Sequence, residues 1–187
     1  MAKRMLIDRF LDNVKTTIHD MQDISTILDA GCGEAIVMRK LLDLRPDLNI
    51  EGLDISADSL QVAKQALPQN KFYQGSIMNM PISDKQYDLV MSLEVLEHVD
   101  DPEAALREIQ KRAAKYCLIS VPLEPYFSMG NLITGSNIKR WGKDPEHINF
   151  WSRKDIVNLI AKYFDIQDSK VSFPWTIVVG RSKLKNS

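Results

Sequence analysis

The sequence predicts an α/β fold: a doubly wound, mostly parallel seven-stranded sheet with helices on both faces and an antiparallel C-terminal strand. Three observations carry this reading. From residue 25 onward, short apolar, β-rich segments alternate with segments of helical period. A glycine turn follows directly on the first apolar segment. Two β-rich segments close the chain with no helix between them, which marks a hairpin.

The elements follow in order. Ile7, Phe10, Leu11, Val14, Ile18 and Met21 stand at helical spacing, so residues 1–22 read as an amphipathic helix. Residues 25–29 (STILD) form the first buried strand. A helix follows through Met38, Leu41 and Leu42 and stops at Pro46. Residues 49–54 (NIEGLD) are the second strand, and residues 58–67 a helix stopped by Pro68. Residues 71–74 and 87–92 (YDLVMS) give strands three and four. Asp101-Pro102 opens a helix, as an N-cap followed by proline at the first helical position, and the pattern runs to about Lys115. Residues 116–121 (YCLISV) are the fifth strand. Ser152 with Asp155 resembles a capping box, starting a helix through Ile156, Leu159, Ile160 and Phe164. Residues 164–171 and 175–181 make the hairpin.

No repeat, linker or low-complexity stretch interrupts the 187 residues, which read as one domain. A chain of this size buries roughly 70% of its unfolded surface and needs no staples. The net charge of −1, from 24 basic and 25 acidic residues, gives no global field for nucleic acid or an anionic membrane. Arg181, Lys183 and Lys185 read as a solvated tail. Cys32 and Cys117 have neither disulfide-framework nor metal-type spacing, and no apolar run is long enough to span a bilayer. The N-terminus leads into an amphipathic pattern and not a signal-peptide core. A reduced, cytoplasmic protein without membrane insertion is expected.

Sheets of this class bind ligands beyond the carboxyl ends of their strands, and the chemistry-bearing motifs lie there. Asp29-Ala30-Gly31-Cys32-Gly33-Glu34-Ala35 is a strand running through a glycine turn into a helix. A dinucleotide fingerprint is one explanation, but its last position is Ile36, too large for close helix–strand packing. Asp29 tells more: a carboxylate before the glycines opposes a pyrophosphate and suits a ligand with an ammonium group. Asp54, 21 residues beyond Gly33, is placed to accept from both ribose hydroxyls of an adenosine.

Asp29-x-Gly31-x-Gly33, Asp54, and Tyr87-Asp88-Leu89-Val90 followed by Leu93-Glu94-Val95-Leu96-Glu97-His98 resemble the successive motifs of class I S-adenosylmethionine-dependent methyltransferases. The likeness covers roughly residues 20 to 180, and three motifs in order make it specific. It implies a Rossmann-like methyltransferase fold with S-adenosylmethionine as cofactor. Asp29, Gly31, Cys32 and Gly33 would cradle the methionine portion, and Asp54 would hold the ribose. Ile55, Ser76 and Ile77 would border the adenine, and Leu93 would close over the methionine end. Ala35 replaces the family's usual third glycine, and Ser76 stands where the family often has an acid.

Glu94, Glu97 and His98 fall at i, i+3 and i+4, so on a helical turn they share one face. With His147 they could form a divalent metal site of mixed oxygen and nitrogen ligands. The turn is similar to that of ubiquinone-pathway O-methyltransferases. Together with the later His147, Trp151 and Arg153 it is also similar to small-RNA 2′-O-methyltransferases. A metal-free acceptor pocket with His98 or His147 as general base and Glu94 beside it, and a purely structural turn, stay open. A base or a metal at this point would indicate O-methylation, because a hydroxyl is a poor nucleophile unless its proton is removed. Residues 124–151, aromatic and glycine-rich, read as a lid or acceptor-binding insert.

The expected function is methyl transfer to a small-molecule acceptor. An RNA 2′-O-methyltransferase with a Glu/Glu/His/His metal site, and a cofactor-binding protein without turnover, are the alternatives. Neither the acceptor nor the oligomeric state is legible in the sequence.

Overall fold

The computed structural model describes residues 2–124 and 147–184. Residues 125–146 of the expected insert, Trp141 among them, and Lys185 of the basic tail lie outside the described residues. The elements are α1 (Ala2–Asp20), β1 (Thr26–Ala30), α2 (Ile36–Leu44), β2 (Asn49–Asp54), α3 (Ala57–Ala66), β3 (Phe72–Gln74) and β4 (Tyr87–Leu93). A 3₁₀ turn (Leu96–His98), α4 (Pro102–Arg112), β5 (Ala113–Pro122), α5 (Arg153–Ala161), β6 (Phe164–Ser172) and β7 (Trp175–Ser182) follow.

The strands form one seven-stranded sheet in the order β3-β2-β1-β4-β5-β7-β6. β1 to β5 run parallel, while β7 is antiparallel to both β5 and β6. The expected fold class is therefore the observed one. The chain winds outward from β1 through β2 to β3, then returns to lay β4 against the other side of β1. The carboxyl ends of β1 and β4 thus flank the point where the winding reverses, where such sheets leave a crevice.

Both sheet faces are apolar because both are covered by helices. Ile27, Ile50, Leu89, Met91, Leu118 and Ile177 point to one face, where α1 adds Phe10, Val14 and Ile18, α2 adds Met38 and Leu41, and α3 adds Leu60. Leu28, Val90, Cys117, Ile119 and Val178 point to the other, against Leu106 and Ile109 of α4 and Ile156 and Ile160 of α5.

The helix starts follow the expected chemistry. The Asp101 side chain accepts from Ala104 N at 2.9 Å, with Pro102 opening α4. Ser152 Oγ accepts from Asp155 N at 3.3 Å and donates to Asp155 Oδ2 at 2.6 Å, closing the reciprocal cap of α5.

Two helix ends differ: the helix expected through Phe164 stops at Ala161, with Phe164 opening β6, and α4 is shorter than its pattern. The helical pattern continues through Ala113, Ala114 and Lys115, yet β5 already begins at Ala113. Ala113 pairs in register with Tyr87, and the Lys115 ammonium lies 3.0 Å from Asp88 Oδ1. Sheet pairing and that ion pair need extended backbone and override a weak local helix preference. Among the described residues no helix is long and apolar enough to cross a membrane.

Candidate active site

The turn after β1 is built on positive φ. Gly31 has φ 97° and Gly33 φ 51°, and Ala35 adopts the left-handed conformation at φ 60° just before α2. At Gly31 a side chain is excluded by space as well: an added Cβ would lie 2.2 Å from Val95 Cγ2. The turn is pinned to the end of β2 by the Gly31 and Cys32 amides, which donate to Leu53 O at 2.7 and 2.9 Å. The Gly33 amide donates to Asp54 Oδ2 at 2.7 Å, and Ser56 N donates to Asp54 Oδ1 at 2.9 Å. Asp54 therefore joins the glycine turn to the N-terminus of α3.

A cavity of about 370 Å³ opens beside this turn, lined by Gly31, Leu53, Asp54, Ile55, Gly75, Ser76, Ile77, Met78, Glu94, Val95, His98, Val99 and Asp100. Of the expected cofactor contacts, Gly31, Asp54, Ile55, Ser76 and Ile77 line it. Asp29, Cys32, Gly33 and Leu93 are not among its lining residues. Ile55 is 72% exposed, an apolar side chain held in solvent at the cavity rim. The Ser76 hydroxyl is engaged locally, accepting from Met78 N at 3.2 Å. Asp29 and Cys32 are buried in the strand end and turn. Burial, reinforced by the charge of Asp54, pushes the Asp29 carboxyl up to about 8. Burial likewise drives the Cys32 thiol far up, so it is no nucleophile.

On the acceptor side the structure divides the expected group. Glu97, His98 and His147 come together, with one potential ligand atom from each lying within 4.8 Å of the others. The His98 and His147 rings are 4.9 Å apart between centroids, edge to face at 72°. Glu97 is 1% exposed, and neither carboxylate oxygen has a hydrogen-bond partner. Burial and the charge of Glu94 push its carboxyl up to about 9.

Glu94 stands apart from the 3₁₀ turn. Its φ is 58°, so it does not continue a helix, and the face-sharing of i, i+3 and i+4 does not apply to it. Ser120 Oγ donates to its Oε1 at 2.7 Å, and the Trp175 side chain also hydrogen-bonds the carboxylate. Burial nonetheless raises the Glu94 carboxyl to about 7.

Four further residues shape the site. Gly52 lies inside β2, where an added Cβ would be 2.7 Å from both Cys32 Sγ and the Phe72 ring. A glycine within a strand was the available signal. Val95, Ser120 and Trp175 carry no such signal: the β1–β4 pairing sets Val95 against Gly31, and the pairing of β4, β5 and β7 brings Ser120 and Trp175 to Glu94.

Residues 28–115 match a family model described as a methyltransferase domain. The mitochondrial ubiquinone biosynthesis O-methyltransferase of Saccharomyces cerevisiae is 30% identical over 105 residues, covering 54% of this chain and 33% of that protein. The chain spans between about a quarter and a half of the curated relatives it matches first, at 33%, 28% and 44% of their lengths. The crystal structure of the plantazolicin methyltransferase BpumL, in complex with a monoazolic desmethylPZN analog and SAH, superposes with a TM-score of 0.77. Its identity is 14%, with 98% of this chain and 87% of that one covered. The crystal structure of the cyclase SpnF has a TM-score of 0.70 at 14% identity, covering 91% and 81%. At such identities these structures establish the fold. Residues 28–115, which hold the glycine turn and the acid that ends β2, are thus a methyltransferase domain, set in the fold shared by class I S-adenosylmethionine-dependent methyltransferases.

Proposed function

We propose that this protein transfers the methyl group of S-adenosylmethionine to an oxygen of a small-molecule acceptor, assisted by a divalent metal ion at Glu97, His98 and His147. The observation that carries the metal is Glu97: a buried carboxylate with no hydrogen bond to either oxygen, His98 Nε2 at 3.9 Å from its Oε1, and a His147 nitrogen within ligand reach. An isolated buried carboxylate is costly, and a cation between these three side chains would remove the cost. The ion would supply Lewis-acid activation of an acceptor hydroxyl.

The remaining work falls to the chain. Gly31 admits the cofactor to the turn, Asp54 offers its remaining lone pairs to the ribose, and Ile55 covers the adenine. Asp29, buried behind the turn and neutral without ligand, would ionise as the methionine ammonium binds. Methyl transfer from a sulfonium is an in-line displacement with a neutral leaving group, so alignment and exclusion of water are the enzyme's main tasks. The small acceptor and the oxygen target take support from the yeast relative, which is named an O-methyltransferase. The absence of a strong net positive charge agrees with a small acceptor over RNA.

Calorimetric titration of S-adenosylmethionine, then of Co²⁺, into the purified protein tests both halves. Saturable binding of each, with Co²⁺ binding lost in His147→Ala, is the expected result. Cofactor binding without any Co²⁺ binding leaves His98 or His147 as a general base. No cofactor binding overturns the function.

A further inference from the structure

His147 is brought to Glu97 and His98 from a distant part of the chain, and hydrogen bonds show what holds it there. The amides of Ile148 and Asn149 both donate to Glu97 O, at 2.9 and 3.1 Å. The Asn149 side-chain amide donates to Val99 O at 2.7 Å and to Leu96 O at 3.2 Å. Asn149 thus reaches the carbonyls at both ends of the 3₁₀ turn that bears Glu97 and His98. Within the turn Leu96 O accepts only a long bond from Val99 N, at 3.4 Å, so the Asn149 amide adds the shorter one. Further along, Glu124 N donates to Trp151 O at 3.2 Å, and Leu123 pairs with Trp151 as an isolated parallel bridge. Segment 147–151 is therefore a strap fixed at Trp151 to the end of β5 and at Asn149 to the turn.

We propose that Asn149 is a positioning residue of the acceptor site, holding the strap so that His147 faces Glu97 and His98. This rests on the reading that His147 serves the acceptor chemistry. The residue type fits the task. Two carbonyl oxygens are met by the two donors of one NH₂ group, which fixes the orientation of the amide. An aspartate in the same shape has no donor and would set a carboxylate against two carbonyls. An alanine reaches neither.

The test is proton NMR of the full chain with Asn149→Ala and Asn149→Asp, followed by Co²⁺ and S-adenosylmethionine titrations. In the unmodified protein the 4.9 Å ring separation should give a nuclear Overhauser contact between His98 and His147. Both variants are expected to lose it and to bind Co²⁺ at least about tenfold more weakly, the loss typical of a residue that orients a ligand. Their cofactor affinity should fall by less than their Co²⁺ affinity, since Asn149 bonds the turn at Val99 and none of the proposed ribose and adenine contacts. Retention of the ring contact in both variants overturns the proposal. So does an equal loss of cofactor binding, which would make Asn149 a general structural residue. The ring contact needs no metal. If the unmodified protein fails to bind Co²⁺, the metal reading falls while the contact still decides the role of Asn149.

Discussion

The Gly33 amide donates to Asp54 Oδ2 at 2.7 Å, so the carboxylate expected to hold a ribose also ties down the glycine turn. Ser56 N occupies the other oxygen. A carboxylate has about four acceptor positions, so each oxygen keeps capacity for a hydroxyl. Asp54→Ala removes both functions at once. Calorimetry should show S-adenosylmethionine binding weakened by about 1.5–3 kcal/mol, the range for hydrogen bonds to a charged group. Unchanged affinity would take Asp54 out of the ribose site.

On the proposed reading, in which Asp29 faces the cofactor's ammonium, cofactor binding should depend on pH. The folded value of Asp29, about 8, lies above the 3.8 of an exposed aspartate, so the folded protein holds a proton that the unfolded chain releases. Between those two values Asp29 therefore lowers stability progressively as pH rises. A cationic ligand favours the ionised form, so affinity for S-adenosylmethionine should increase from pH 6 to pH 8 with release of a proton. Asp29→Asn should flatten that profile and weaken binding, while raising the melting temperature of the cofactor-free protein at pH 8. A variant that keeps the wild-type pH profile would show that Asp29 does not sense the ligand.

Gly31→Ala meets two obstacles, its φ of 97° and the 2.2 Å approach to Val95 Cγ2. The combined strain should cost about 2–4 kcal/mol in urea unfolding and abolish cofactor binding. Adding Val95→Ala relieves the clash but not the backbone strain, so stability should recover in part. Full recovery would mean that φ carries no cost here.

Asp88 supports the other end of β4. Its Oδ2 accepts from Ser25 N and Oγ and from Thr26 N and Oγ1 at 2.9–3.1 Å, and Lys115 Nζ is 3.0 Å from Oδ1. Although its partial burial opposes ionisation, these donors hold the carboxyl well below the usual range. Its contribution is present above the unfolded value of 3.8 and is lost as pH falls below it. Asp88→Ala should destabilise by about 1.5–3 kcal/mol at pH 7, and by less in acid, with cofactor affinity per folded molecule unchanged. Equal destabilisation at both pH values would point to packing and not to the carboxylate.

How far the sequence reached depends on the range of the interaction involved. Strand and helix order, the caps at Asp101 and Ser152, the glycine turn and Asp54 at the end of β2 were all legible, because each follows from residues a few positions apart. The helical pattern through Lys115 misled for the same reason: local preference extended α4, while pairing with Tyr87 and the ion pair with Asp88 began β5.

By itself, then, the sequence determined the sheet class, the strand ends that carry chemistry and the residue types gathered there. Periodicity, glycine conformation and capping are short-range and survive without a fold. The tertiary structure decided which of those residues meet. It set Val95 against Gly31 and turned Glu94, at φ 58°, toward Ser120. It also brought His147, fifty residues beyond Glu97 in the chain, to Glu97 and His98 through Asn149. Such contacts depend on strand register and on hydrogen bonds between segments far apart in the chain, which become defined only when the sheet is assembled.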